Sequence, residues 1–217
     1  MASNVKNSNL IVGLDIGTSK VVCIVGKYNE SNELEIVALG SYPSSGLKRG
    51  IVVNIDATTD AIKKAVDQAQ SMIEEKIKNV FVGIAGNHVK SLNSHVTHGI
   101  KDNEVSKWDL EKVNESAQAM AIPSDQRVLH VIPQKYVIDG QEVSLDPLGM
   151  SGVRLESKVH LVTCAESAMK NIEKCVRNCG LTVERFVLEQ LASSYSILSE
   201  DEKDLGVCLV DIGGGTT

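Results

Sequence analysis

The chain carries the same short pattern twice, and each copy restricts how the polypeptide can fold around it. Residues 13–20 read GLDIGTSK, and residues 211–217 read DIGGGTT. In both copies an apolar run leads into an aspartate, then glycine, then hydroxyl residues. Glycine allows a tight backbone turn, so successive N–H groups can point at one anion. Two such turns, each predicted at the end of a strand, indicate two walls of one anion-binding site.

The residue types in these two loops suit a phosphate group accompanied by a magnesium ion. Hydroxyl groups of Thr18, Ser19 and Thr216 can donate to phosphate oxygens. Asp15 and Asp211 repel phosphate but suit a Mg²⁺ ion and its waters. For either copy alone, the alternative is an ordinary hairpin turn. Three consecutive glycines weaken a strand and need a reason, which favours the phosphate interpretation.

Composition limits the class of protein. The 217 residues are 42% hydrophobic, enough for one large domain or two small ones with a real core. The net charge is −6 and aromatic residues make up 3%, so the chain offers neither a basic stripe nor a stacking platform. We therefore predict no nucleic-acid binding. The polar start and the lack of a long apolar run predict a cytoplasmic protein.

The cysteines and histidines are predicted to have structural roles. Three cysteines lie in or at the end of apolar strand-like runs: Cys23, Cys164 and Cys208. Cys175 and Cys179 share one helix face, where they either pack in the core or form half of a metal site, but no partners follow at ligand spacing. His95 and His98 are either ligands or part of a solvated strand. We predict no metal site built from these side chains.

The first 86 residues predict a β-β-β-α-β order. A helix is expected over 56–73, with Asp56 or Thr58 as N-cap and an apolar stripe that includes Met72. The three strands before it are predicted to form an antiparallel meander, and a buried strand follows it. In order, the four strands are NLIVGLDIG, KVVCIVGKY, LEIVALGSY and NVFVGIAG.

The segment from 86 to 158 is more polar and is interpreted as an inserted subdomain. Its helix is predicted to begin at Ser106, which forms a capping box with Asp109. On that helix an apolar stripe should face the subdomain's own sheet: Leu110, Val113, Ala117, Met120 and Ala121. The strand GVRLESKVHLVTC is predicted to return the chain to the main domain. Trp108 falls opposite the stripe, where either a loop covers it or a partner protein binds it.

The segment after the insertion continues with alternating helices and strands. A helix with an inward-facing Ala168 is expected to end at a left-handed Gly180. LTVERFVL, EQLASSYSIL and LGVCLVDIG then predict strand, helix and strand. The chain thus divides into three predicted parts: the main domain begins at 1–85, is interrupted at 86–158 and resumes at 159–217.

Longer stretches carry a resemblance to a known family. GLDIGTSKV and LVDIGGGTT resemble the two phosphate loops of the superfamily of actin, sugar kinases and DnaK-type chaperones. RVLHVIPQKYVIDG, GMSGVRLESKVHLVTC and LASSYSILSEDEKDLGVCLVDIGGGTT resemble the FtsA family of bacterial cell-division actin homologues. This resemblance covers the whole chain. It implies an α/β, actin-like (ribonuclease H-like) first domain, with a mixed sheet, flanking helices and an inserted small α+β subdomain called 1C.

The resemblance also implies an ATP and Mg²⁺ site. Asp15 and Asp211 would face Mg²⁺ through water. Glu189 matches an acid that orients the attacking water in related proteins, although Gln190 replaces their proline. A favourable charge at a helix N-terminus is the alternative for Glu189, so at most weak ATPase activity is expected. The residues implied around the phosphates are Gly17, Thr18, Ser19, Lys20, Gly213, Gly214, Gly215 and Thr216.

At the level of function, the resemblance implies a protein that self-assembles and links the FtsZ ring to the cytoplasmic face of the cell membrane. Partners would bind through three regions: FtsZ through a second domain, the membrane through a C-terminal amphipathic helix, and other division proteins or further subunits through 86–158. We expect the 217 residues to be the N-terminal part of such a protein and to bind ATP weakly by themselves. A small-molecule kinase and a chaperone-like ATPase of the same superfamily remain alternatives.

Overall fold

The computed structural model describes residues 10–119, 122–143 and 146–217. In chain order, the helices and strands are β1 (Leu10–Ile16), β2 (Lys20–Tyr28), β3 (Leu34–Pro43), β4 (Leu47–Lys48), β5 (Ile51–Val52), α1 (Ile55–Gln70), β6 (Asn79–Ile84), β7 (Val89–Gly99), α2 (Lys107–Ala119), β8 (Gln126–Ile138), β9 (Gln141–Val143), β10 (Arg154–Ala165), α3 (Glu166–Asn178), β11 (Thr182–Leu188), α4 (Glu189–Ile197) and α5 (Glu200–Leu205).

The chain forms two compact units. The first combines Met1–Asn87 with Ser167–Thr217, and the second is His88–Glu166. The boundary expected at residue 158 falls inside β10, and the three-part division drawn from the sequence stays a prediction. Among the described residues, no helix has the length and apolar character needed to span a bilayer.

A five-stranded mixed sheet forms the centre of the first unit, in the order β11-β6-β1-β2-β3. The predicted meander is confirmed, because β1, β2 and β3 pair antiparallel in sequence order. β6 pairs parallel with both β1 and β11. The carboxyl ends of these three parallel strands therefore meet at one edge of the sheet.

Helix α1 packs on β2 and β3 through a stripe of small and branched residues. Its N-cap is Asn54, whose side chain accepts a hydrogen bond from the Ala57 N–H at 3.0 Å, so the predicted caps Asp56 and Thr58 were wrong. Asn54 has the extended backbone that an N-cap needs, while Thr58 is already inside the helix and buried. The helix ends at Gln70, which leaves Met72 exposed and outside the stripe.

Helix α3 contacts α1 through the thiols of its two cysteines. The Cys175 thiol lies 3.7 Å from the Ile55 carbonyl, and the Cys179 thiol lies 3.4 Å from the Thr59 carbonyl. Burial raises the pKa of the Cys179 thiol to about 11, so it stays neutral as a core thiol does. Gly180 has the predicted left-handed backbone, with φ of 76°. The buried residue near the start of the helix is Met169, whereas the predicted Ala168 is half-buried.

The last predicted strand is not formed. Residues 206–217 adopt neither helix nor strand, and α5, begun by a capping box between Ser199 and Glu202, occupies the residues before them. A strand needs a neighbour for its backbone hydrogen bonds, and none in the described part of the chain pairs with this segment. Asp211 therefore does not lie at the end of a strand, whereas Asp15 is the next-to-last residue of β1.

The second unit is an antiparallel sheet in the order β7-β10-β8-β9, packed against α2. β10 pairs with β7 and β8 along its length and carries the chain to the end of this unit. Strands and helix enclose one core, made of Val96, Ile100, Val105, Val113, Ala117, Tyr136, Ile138, Leu155, Val159 and Leu161. The unit is therefore an α+β layer pair with its own hydrophobic core.

The start of α2 agrees with its sequence pattern. The Ser106 N–H donates to the Asp109 carboxylate at 3.0 Å, and the Asp109 N–H donates to the Ser106 hydroxyl at 3.3 Å, which confirms the capping box. The predicted stripe residues Val113 and Ala117 are fully buried, with Leu110 packed beside them. Its last two members, Met120 and Ala121, lie outside the described residues.

Candidate functional site

A cavity of about 420 Å³ lies within the first unit, where β1, β6 and α4 meet the end of the chain. Its polar wall contains most of the residues singled out from the sequence: Asp15, Gly17, Thr18, Ser19, Lys20, Glu189, Asp211, Gly213, Gly214 and Thr216. An apolar wall completes it, and sequence reasoning did not identify that wall: Gly13, Val22, Ile24, Phe81 and Val187. The cavity is thus lined by both polar and apolar residues.

The first loop is the turn between β1 and β2. The Gly17 N–H donates to the Lys20 carbonyl at 3.0 Å and closes the turn. A methyl group on Gly17 would lie 2.9 Å from the same carbonyl oxygen, closer than side chains approach backbone. The Ser19 carbonyl accepts a hydrogen bond from the Ser44 N–H at 3.0 Å, which anchors the loop to the segment after β3. Glycine is therefore required here by space.

The second loop lies directly against the first. The Gly213 N–H donates to the Thr216 carbonyl at 2.9 Å, which closes a turn around the two glycines between them. A methyl group on Gly214 would overlap the Ser19 hydroxyl, and one on Gly215 would lie 2.7 Å from the Thr18 hydroxyl. The glycines are explained by the close approach of the two loops.

Three carboxyl groups share this cavity: Asp15, Glu189 and Asp211. Burial, reinforced by the negative charges of Asp15 and Asp211, raises the pKa of Glu189 to about 7. Burial also raises the pKa of Asp15; Lys20 opposes this effect and Asp211 adds to it. Mutual repulsion of this kind favours a bound cation. In the residues described, no group of three or more such side chains is close enough to ligate a metal directly.

Ser193 is a site residue that sequence reasoning missed. Its hydroxyl donates to Oδ2 of Asp211 at 3.1 Å, and its side chain lines the cavity. Ser193 lies four residues after Glu189 on α4, so the two side chains project from the same helix face. That spacing was the available signal, although the contact with Asp211 depends on the tertiary fold.

The two histidines considered as ligands lie in the second unit and have separate acidic partners. His95 contacts Glu156 at 2.9 Å, and His98 contacts the buried Asp109 at 3.0 Å. The structure thus pairs each ring with its own carboxylate.

Trp108, also in the second unit, is 41% exposed. Its ring is bordered by Lys101 and His98, whereas Lys112 and Glu115, further along α2, form an ion pair with each other at 2.6 Å. The loop and strand therefore cover part of the indole and leave the rest open.

The fold and the two-loop cavity place the chain in a known class. The mixed sheet with its meander, together with the α+β insertion, is an actin-like α/β fold. A solved structure described as the PilM-PilN type IV pilus biogenesis complex matches 85% of this chain and 49% of that one, with a TM-score of 0.59 and 16% identity. At that identity the likeness concerns the fold alone.

The family follows from sequence comparison. Residues 86–163 match the family model described as the SHS2 domain inserted in FTSA. Three relatives, each called "Cell division protein FtsA", are similar over nearly the whole chain. The Pseudomonas aeruginosa protein is 61% identical over 99% of this chain and 52% of its own length. The Neisseria meningitidis protein is 50% identical over 94% of this chain and 49% of its own length. The Escherichia coli K12 protein is 44% identical over 95% of this chain and 49% of its own length.

The chain belongs to the FtsA family of cell division proteins. It spans about half the length of the curated relatives that it matches.

Proposed function

We propose that the chain supplies the phosphate- and magnesium-binding part of an ATP site in an actin-like cell-division protein. The observation that carries this proposal is the direct contact between the two loops, where Gly214 lies against Ser19 and Gly215 lies against Thr18. The two turns line one cavity with glycine and hydroxyl residues, and acidic residues line it beside them. Phosphates and a divalent cation together match that pattern of donors and charges.

Each group has a role that follows from its position. Gly17, Thr18, Ser19 and Lys20 would hold the phosphates from one side, and the loop 213–216 would hold them from the other. Asp15 and Asp211 would face Mg²⁺ through its waters, since the described carboxylates are not gathered at direct ligand distance. The cation would supply charge neutralisation for the phosphates.

Glu189 is suited to exchange a proton near neutral pH, because its pKa is raised to about 7. It begins α4 and lies against β6, where a methyl group on Gly83 would be 3.1 Å from its Cγ. We propose that Glu189 orients a water molecule at the phosphates and supports at most slow ATP hydrolysis. The raised pKa disfavours the alternative of a helix-end charge, which requires an ionised group.

For the whole protein we propose self-assembly and a link between the FtsZ ring and the cytoplasmic face of the membrane. The support is 40–61% identity to proteins named for cell division and the match of the insertion to a domain of that family. FtsZ and the membrane would be bound outside this chain, and further subunits or division proteins would bind the second unit. The same insertion disfavours a small-molecule kinase or a chaperone-like ATPase.

Binding of Mg-ATP by the full-length protein tests the proposal. We expect Gly214→Ala to weaken the affinity at least about tenfold, because the added methyl group would displace the Ser19 hydroxyl, a proposed phosphate donor. Gly99→Ala is the matched control, since a methyl group there would meet open space. Titration calorimetry of the wild type and both variants measures the effect. No binding by the wild type, or equal binding by all three, would refute the proposed site.

A further inference from the structure

Helix α4 directs two side chains of very different chemistry into the same cavity. Glu189 is its first residue, and Ser193 follows one turn later on the same face. The Ser193 hydroxyl donates to Oδ2 of Asp211 at 3.1 Å. The helix therefore brings a hydrogen-bond donor, as well as an acid, to the carboxylate of the second loop.

The hydrogen bond from Ser193 to Asp211 differs from the one that a serine on a helix usually makes. The common local arrangement is a hydrogen bond back to a carbonyl three or four residues earlier in the same helix. Ser194 does this, donating to the Leu191 carbonyl at 2.7 Å. Ser193, its immediate neighbour, instead donates to Asp211 in another segment. Its contact is thus tertiary, and it links α4 to the second loop.

The hydrogen bond from Ser193 can fix the orientation of the Asp211 carboxylate. Residues 206–217 form no helix or strand, so no sheet fixes the backbone on which Asp211 stands. The negative charges of Asp15 and Glu189 are close enough to be felt across the same cavity. A freely rotating Asp211 carboxylate would turn away from them. The hydrogen bond from Ser193 holds Oδ2 and leaves Oδ1 available.

We propose that Ser193 is a positioning residue that orients the Asp211 carboxylate toward the water shell of the divalent cation bound with the nucleotide. This inference rests on the proposed Mg-ATP function of the cavity. Ser193 acts through Asp211 and needs no contact with the nucleotide. Its loss therefore affects the dependence of nucleotide binding on Mg²⁺ more than the binding measured without the cation.

The test compares fluorescent mant-ATP binding to the full-length protein over a series of MgCl₂ concentrations and in EDTA. Ser193→Thr and Ser193→Val have the same shape and differ by one hydroxyl group. We expect the valine variant to need about five- to tenfold more Mg²⁺ for half-maximal binding, since a hydrogen bond to a charged group is lost. The threonine variant should behave as the wild type does. Ser194→Ala, which removes a hydroxyl bonded only within the helix, is the matched control.

Three results would overturn the inference. The Mg²⁺ titrations of the threonine and valine variants could coincide, the valine variant could lose as much affinity in EDTA as in Mg²⁺, or Ser194→Ala could show the same shift. The second result would assign Ser193 a purely structural role. If the wild type itself binds no mant-ATP with Mg²⁺, the proposed function fails first, which distinguishes the two claims.

Discussion

The ammonium group of Lys101 lies 4.4 Å from the centre of the Trp108 ring. At that distance the cation is attracted to the electron-rich face of the indole, a contact worth about 0.5–1 kcal/mol at an exposed site. His98 meets the same ring edge-on, with the ring centres 5.4 Å apart. Trp108 is thus held in one orientation while two-fifths of its surface faces outward.

Trp108 is the only tryptophan of the sequence, so its fluorescence reports one site. We expect red-shifted emission that acrylamide readily quenches in the monomer, and a blue shift when the full-length protein self-associates or binds a division partner through this surface. Lys101→Met should change quenching in the monomer without preventing the blue shift. A blue emission that resists quenching in the monomer would contradict the prediction.

Asp211→Ala should weaken Mg-dependent nucleotide binding by the full-length protein at least about tenfold while unfolding remains cooperative. Asp211 stands on a segment without regular structure, so its removal deprives the cation of a charge and leaves the core intact. A Mg-ATP titration and a thermal melt measure the two effects. Asp204→Ala, an exposed acid on α5, is the control. A collapsed melt with unchanged affinity in the surviving folded protein would show that Asp211 serves the fold.

Glu189 should make the stability of the chain depend on pH in the absence of nucleotide and metal. Its pKa is about 7 when folded and near 4.5 when unfolded. Between these values the unfolded chain releases the Glu189 proton first, so stability falls as the pH rises from 4.5 to 7 and is constant above that range. The loss amounts to about 3 kcal/mol at most.

Urea unfolding of Glu189→Gln at several pH values, in EDTA, measures this contribution. We expect the free energy of unfolding of the variant to fall much less than that of the wild type between pH 4.5 and 7. At pH 8 the variant should be the more stable protein. Glu184→Gln, an exposed acid on β11, should keep the wild-type profile. Parallel profiles for all three proteins would show that burial does not affect the Glu189 carboxyl.

Gly40→Ala should be among the most destabilising single-methyl changes in the first unit. Helix α1 lies so close to β3 that the added carbon would overlap the Ala65 carbonyl, and relief requires moving a helix backbone. We expect a loss of about 3 kcal/mol in the free energy of unfolding, as overpacked cores show. Gly180→Ala meets nothing within 4 Å and is strained only by its φ of 76°, so it should cost about 1 kcal/mol. Equal costs measured by urea unfolding would refute this difference.

The parts of the fold that depend on local pattern were predictable from the sequence. The meander follows from alternating β-branched runs, and the α2 capping box and the Gly180 cap each depend on residues within one turn. The α1 N-cap was less predictable, since several residues near its start favour capping and only backbone geometry selects Asn54.

Features that depend on distant parts of the chain were not predictable. The strand predicted over 205–213 requires a neighbouring strand, and apolar alternation alone does not reveal whether one is present. The residue types of the loops indicated the site, whereas the reason for Gly214 is the Ser19 side chain nearly 200 residues away. Ser193 was missed because its hydrogen bond to Asp211 depends on the tertiary fold. Its spacing from Glu189 on α4 indicated only that the two side chains share a helix face.

The unpaired segment after α5 also governs how the isolated polypeptide behaves at high concentration. Val207, Val210 and Ile212 are exposed on a segment that forms neither helix nor strand. Branched apolar residues with open backbone groups are a template for intermolecular β-pairing. Colloidal stability of the 217-residue chain will therefore be limited by this short stretch, and charged substitutions at Val210 or Ile212 should raise its solubility without touching either hydrophobic core.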